Sequence, residues 1–300
     1  MVTVNKPQTK SPLDRRTKSE KGVFVFVFVL FSIYTLIMFL PLLWLLMSSF
    51  KEHSEYALDV MNRDVFALPD KLYIQNYFNV FKALKYNETN FLGMIFNSIW
   101  YIAFSVFPQL FCNSLFGYIM AKYNFKGKEI LLAICIFTIT VPIVGTGAAY
   151  YVLVNSLKIY NTPLYPLITN IYFFGANFLF FRATYSSISW SYAEAVFMDG
   201  GSHWTAYFKI MMPQALPVYS TLLITTCIGL WNDYMPILLY LPDYPTVASG
   251  LYKASLTVNR SGGMVLYYTG LVVSMIPVLA IFIIFSDKLM KNLSIGGLKG

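Results

Sequence analysis

Val23-Phe-Val-Phe-Val-Phe-Val29 opens an apolar run that continues as Leu30-Phe-Ser-Ile-Tyr-Thr-Leu-Ile-Met-Phe-Leu40 and ends at Met47. Its Val-Phe alternation has the two-residue period of a half-buried strand. Length decides otherwise. A run this long exceeds an ordinary strand and meets the roughly 20 apolar residues that a helix needs to cross a bilayer. The run follows a basic tail and has no small-residue cleavage site after a short hydrophobic core, so it reads as a retained anchor.

Working outward, five more stretches have this character: about 96–121, 130–153, 164–181, 217–241 and 265–285. Asn170, Asn177, Asn232 and Asp233 interrupt the fourth and fifth. Pro142, Gly145 and Gly147 interrupt the third, where a bend or local unwinding is expected. Composition agrees: 57% of residues are hydrophobic and 12% charged, against about 25% charged in soluble domains. Twenty-six Phe and 23 Tyr add to the apolar surface.

The net charge of +8 could suggest nucleic acid, but its distribution argues for a membrane. With the N-terminus inside, Lys and Arg concentrate in the N-terminal tail, at 122–128, at 182–213 and in the C-terminal tail. The outside segments are close to balanced. This is the positive-inside pattern, so no nucleic-acid partner is needed. The expected fold is all-α and polytopic, with six transmembrane helices and both termini cytoplasmic. A tail at 1–22 precedes a membrane domain at 23–290, and a tail at 291–300 follows it. Within the domain lie an outside loop at 50–93 and a cytoplasmic loop at 186–213. On the outside loop, Ile74, Tyr77, Phe78, Phe81 and Leu84 fall on one helical stripe, which suits a short helix on the bilayer or the bundle.

The cytoplasmic loop carries Ser191-Tyr-Ala-Glu-Ala-Val-Phe-Met-Asp-Gly-Gly-Ser-His-Trp-Thr-Ala-Tyr-Phe-Lys-Ile-Met-Met-Pro213. It reads as two short helices at a glycine corner. Ser191 and Glu194 have capping-box spacing, and Gly200 suits the left-handed residue that ends a helix. Ser202 can cap the second helix, and Pro213 should stop it. Tyr192, Val196, Phe197 and Met198 are bulky apolar groups beside one charge, Glu194. They must cover themselves on the membrane or on a partner.

Glu194-Ala-Val-Phe-Met-Asp-Gly-Gly201 with Pro213 resembles the E-A-A-x-x-D-G-A loop of bacterial ABC importer permeases. Glu194, Ala195, Asp199, Gly200 and Pro213 match, while Val196 and Gly201 each stand where that family has alanine. Asn76-Tyr77, Asn97-Ser98, Tyr118-Ile-Met-Ala-Lys122, Trp231-Asn-Asp-Tyr234 and Gly296-Gly-Leu-Lys-Gly300 resemble the carbohydrate-uptake, maltose-type branch. The resemblance implies a type I importer transmembrane domain in the bacterial plasma membrane. It implies a second permease forming a heterodimer, a dimeric cytoplasmic ATPase and an extracytoplasmic sugar-binding protein. The 191–213 loop would be the coupling element, through Glu194, Ala195, Phe197, Asp199, Gly200 and Pro213.

No phosphate-binding G-x-x-x-x-G-K-[ST] loop is present, so nucleotide hydrolysis is expected on another chain. His53 and His203 are isolated, Cys112, Cys135 and Cys227 lack ligand spacing, and neither a cofactor nor a metal is expected. Asp233 is the acidic residue within an expected span, flanked by Trp231, Asn232 and Tyr234. These four and Asn177 either bond between helices or line a sugar path, where amide and carboxylate groups meet hydroxyls and a ring stacks on the sugar face. Gln109 and Asn113 are weaker path candidates. A permease for a polyamine or phosphate, or a transporter working without ATP, remains an alternative.

Overall fold

The computed structural model describes residues 18–141, 145, 147–261 and 263–295. The tail 1–17, Pro142 with its expected bend, and the closing 296–300 lie outside the described residues. The chain divides into two compact units, 1–73 and 74–300.

In the first unit, 23–47 lies within one helix, α1 (Lys18–Ser49), so the strand-like alternation does not decide the backbone. Its apolar residues are distributed all round the helix, and its hydrophobic window is uncovered. After it, α2 (His53–Met61) starts a small polar cap. Lys51, almost fully buried, pairs with Asp59 at 2.5 Å. Trp44 Nε1 donates to the Val65 carbonyl at 2.8 Å, and the Tyr73 hydroxyl donates to Glu52 at 2.7 Å.

The second unit begins with α3 (Gln75–Ala83) and a two-residue hairpin, β1 (Lys85–Tyr86) and β2 (Thr89–Asn90). Lys85 pairs with Asn90 and Tyr86 with Thr89. The expected apolar stripe on α3 is rotated. Val80 and Leu84 are buried, while Ile74 and Phe78 stay exposed. Asn90 then caps α4 (Phe91–Lys122), accepting from the Gly93 amide at 2.9 Å.

The third expected span is two helices, α5 (Lys128–Thr140) and α6 (Gly147–Ser156), with Gly145 at φ +81° between them. The fourth is likewise broken, into α7 (Leu164–Thr169) and α8 (Ala176–Ser187). Asn170 turns back to bond the Pro166 carbonyl at 2.7 Å, which ends α7, and a non-helical segment with bends at Phe173 and Gly175 follows. A continuous helix over 164–181 is therefore corrected. Polar Asn170 and Gly175 interrupt a stretch that reads as apolar only on average.

Next come α9 (Ser191–Met198), α10 (His203–Thr205), a π-helical turn over Ala206–Met211 and α11 (Met212–Gln214). The fifth expected span is α12 (Leu216–Asn232) and α13 (Met235–Tyr240), parted at Asp233 and Tyr234. The amphipathic α14 (Val247–Ser261) precedes α15 (Met264–Ile295), which runs unbroken past residue 290.

By length and composition, three described helices can cross a membrane: Ser19–Ser49, Phe91–Lys122 and Met264–Phe285. A fourth crossing is possible if His203–Gln214 and Leu216–Asn232, bent by 73°, act as one span. The helices α4 and α8 form an extended pair. Gly117 permits their approach, since a Cβ there would lie 2.8 Å from Phe181 Cβ and 3.0 Å from the Arg182 amide.

Candidate functional site

The loop between α8 and α12 is built from local signals. Ser189, not Ser191, supplies the side-chain oxygen at the start of α9, accepting from the Ser191 amide at 3.3 Å. The Ser191–Glu194 capping box does not form, because Ser191 is already helical and its hydroxyl bonds Ser189 Oγ at 2.8 Å. The Ala193 and Glu194 amides instead reach the Trp190 carbonyl at 2.8 and 3.2 Å.

The other end of α9 is closed by two glycines. Gly200 sits at φ +77°, and its amide donates to the Phe197 carbonyl at 3.0 Å. The Gly201 amide donates to the Val196 carbonyl at 2.8 Å. These two bonds form the Schellman arrangement that satisfies the last carbonyls of a helix. A Cβ on Gly201 would lie 2.4 Å from Val196 Cγ1, so the second glycine is set by space. Ser202 then caps α10 as expected, accepting from the Thr205 amide at 3.2 Å.

Pro213 does not stop the second helix. The Met212 amide reaches back to the Tyr207 carbonyl in a π-helical bond, and Pro213 has no amide with which to resume α-helical pairing to Lys209. The turn of direction falls two residues later, at Ala215, whose amide bonds the Met211 and Met212 carbonyls.

One side of α9 is anchored and the other is free. Ala193 is fully buried in a core with Leu110, Tyr118, Phe181, Tyr185 and Tyr207. Phe197, expected as a contact for a partner, is half-buried, with its ring 5.9 Å from Trp190 and 4.8 Å from His203. His203 Nδ1 pairs with the Tyr123 hydroxyl at 2.8 Å, and Lys122 Nζ donates to the Ile188 carbonyl, which ties the loop base to the end of α4. Glu194, Ala195, Asp199 and Gly200 are exposed, and Pro213 is exposed at the far end of the second helix. The largest free groups on α9 are Met198, 88% exposed, and Tyr192, 53% exposed. Motif matching passes over both. Their size, as bulky groups on a short helix with one charge, is the signal that identifies them.

The other candidate residues meet near the α12–α13 joint. Trp231 Nε1 donates to the Ser274 carbonyl of α15 at 3.1 Å. Asn232 Nδ2 bonds the Ile228 carbonyl at 2.9 Å, and Asp233 Oδ1 accepts from the Met235 amide at 3.3 Å. Tyr234 stacks on Tyr252 of α14 with centroids 4.3 Å apart. Asn177 lies elsewhere, on α8, with its amide 3.5 Å from Thr226 Oγ1. At the α7–α8 break, Gln109 and Asn113 bond the Tyr172 hydroxyl and carbonyl, the latter at 2.6 Å.

The family model described as binding-protein-dependent transport system inner membrane component matches residues 113–295, which contain the whole α8–α12 loop. A diacetylchitobiose uptake system permease protein of Streptomyces coelicolor is 24% identical over 88% of this chain and 85% of its own length. An arabinooligosaccharides transport system permease protein of Bacillus subtilis is 24% identical over 90% and 94%. A solved bacterial ABC transporter involved in import of the acidic polysaccharide alginate contains a chain that shares the fold. That match has a TM-score of 0.75 and 20% identity, and covers 91% of this chain and 98% of that one. The family match spans more than half of the sequence, and the chain therefore belongs to the binding-protein-dependent transport system inner membrane components.

Proposed function

We propose that this chain is the permease subunit of an ATP-driven ABC importer that moves a sugar or oligosaccharide across the bacterial plasma membrane. One observation carries the coupling half of the proposal. The helix α9 is anchored through Ala193 and presents Tyr192, Glu194 and Met198 outward on a turn fixed by Gly200. An apolar knob on a rigid turn suits a groove on another protein, and the resemblance names that protein as the ATPase. The sugar half is supported by relatives named for oligosaccharide uptake, including a melibiose/raffinose/stachyose import permease protein.

In this reading six spans place both termini in the cytoplasm. The broken pairs α5–α6 and α7–α8 supply two of the crossings. The partners are a second permease in a heterodimer, a dimeric ATPase and an extracytoplasmic sugar-binding protein, and the chain needs no cofactor of its own. Trp231, Asn232, Asp233 and Tyr234 at the α12–α13 joint, with Asn177, are the proposed polar lining of the path. The test is ATP turnover by the reconstituted complex, with and without sugar-loaded binding protein. Glu194→Lys is expected to abolish the sugar-stimulated part. Unchanged stimulation would contradict the proposal.

A further inference from the structure

The Ser114 hydroxyl is fully buried on α4 and joins three elements. It lies 2.8 Å from the Tyr185 hydroxyl of α8 and 3.0 Å from the Tyr207 hydroxyl of the π-helical turn. Both tyrosines are buried, and the ring of Tyr118, four residues along α4, packs on each at 5.5 and 5.1 Å. A serine hydroxyl donates once and accepts twice, so both bonds can be made without any charge.

The contact has the geometry of a linkage. Around it the loop is held by apolar packing of Ala193, Ala206 and Met211, which is non-directional and permits small slides, and at its base by the His203–Tyr123 and Lys122–Ile188 bonds. A hydrogen bond weakens steeply with misalignment, so the Ser114–Tyr207 pair fixes the rotation of the second loop helix relative to α4. Tyr207 also accepts, through its carbonyl, the π-helical bond from Met212. The same residue therefore anchors the loop by its side chain and sets the irregular turn by its backbone. Beyond that turn the chain bends by 73° into α12. A push on α9 can reach the bundle through Tyr207 as well as through Ala193 and the His203–Tyr123 contact, and of these Tyr207 is the one that also sets the irregular turn.

We propose that Ser114 and Tyr207 are positioning residues that transmit movement of the 191–213 loop to α4 and α8, with the π-helical turn as the pivot. This inference rests on the reading of that loop as the coupling element. Losing the contact should leave ATP hydrolysis running while less sugar is moved.

The experiment measures sugar transported per ATP hydrolysed in purified, fully assembled complexes in vesicles. Tyr207→Phe removes one hydroxyl and keeps the ring, and Ser114→Ala removes the shared group. Ser98→Ala is the control, since Ser98 is another buried α4 hydroxyl, bonded to the Val247 amide of α14 at 3.0 Å. The ratio should fall about fivefold for Tyr207→Phe and Ser114→Ala, the factor that corresponds to the typical net worth of one hydrogen bond, and stay at wild type for Ser98→Ala. A wild-type ratio in Tyr207→Phe, or an equal fall in Ser98→Ala, would overturn the inference. Glu194→Lys separates the two levels. If it abolishes sugar-stimulated turnover while Tyr207→Phe stays normal, only this inference fails. If it leaves stimulation unchanged, the loop reading fails and this inference with it.

Discussion

Val196 and Gly201 occupy one another's space: the Val196 Cγ1 methyl lies where a Cβ on residue 201 would be, 2.4 Å from that position. These are the two positions at which the loop departs from the alanines of the E-A-A-x-x-D-G-A pattern. The added methyls at 196 and the missing one at 201 offset each other, so the turn keeps its shape.

Gly201→Ala should therefore destabilise the protein by about 1–3 kcal/mol, the usual range for an overpacked methyl. Val196→Ala in the same chain should recover only the side-chain part of that loss, because a Cβ at 201 also lies 2.9 Å from the Val196 carbonyl. Thermal unfolding of the two single variants and the double variant in detergent checks the coupling. Strict additivity would mean that the two sites do not touch.

At Gly200 the constraint is conformational. Its φ of +77° disfavours any residue with a Cβ, at about 1–2 kcal/mol. Gly200→Ala should lower the melting temperature, and Gly200→Asn should lower it less, because asparagine tolerates this region. Equal losses would contradict the backbone account.

The start of α9 makes a sharper distinction. Ser189→Ala should cost about 0.5–1.5 kcal/mol, the usual worth of one hydrogen bond, here from the Ser191 amide. Ser191→Ala should cost less, since its amide, not its hydroxyl, makes that bond. A capping-box mechanism predicts the reverse order, and chemical unfolding of the two variants decides between them.

Close approach of α4 and α8 depends on Gly117, where a Cβ would meet Phe181 Cβ and the backbone of Arg182. Gly117→Val should prevent stable folding of the pair, measured as loss of the monodisperse protein after detergent extraction. Gly229→Val, at a glycine with open space around its Cβ direction, should leave extraction unchanged.

Much of the architecture was legible because composition and periodicity act over long windows. The helices α1, α4 and α15 stand out for that reason. Breaks were harder to place. Asn170 and Gly175 are visible in the sequence, but only the fold shows that the chain leaves the helix between them. The helix α14 was missed although Val247, Leu251 and Val258 fall on one buried face. Its polar remainder reads as loop when an apolar run is the criterion. At the loop, Gly200 and Ser202 could be assigned because their roles are local. Ser114 could not, since its partners lie 71 and 93 residues away and a lone serine in an apolar helix carries no signal.

The most direct test of the account is a photo-crosslinking side chain at Met198, the most exposed group on α9, in the complex isolated from native membranes. The account predicts an adduct with the ATPase subunit, and no such adduct from the same probe at Leu239 on α13. An intact complex in which the Met198 probe reaches only lipid would contradict the assignment of this loop as the coupling element.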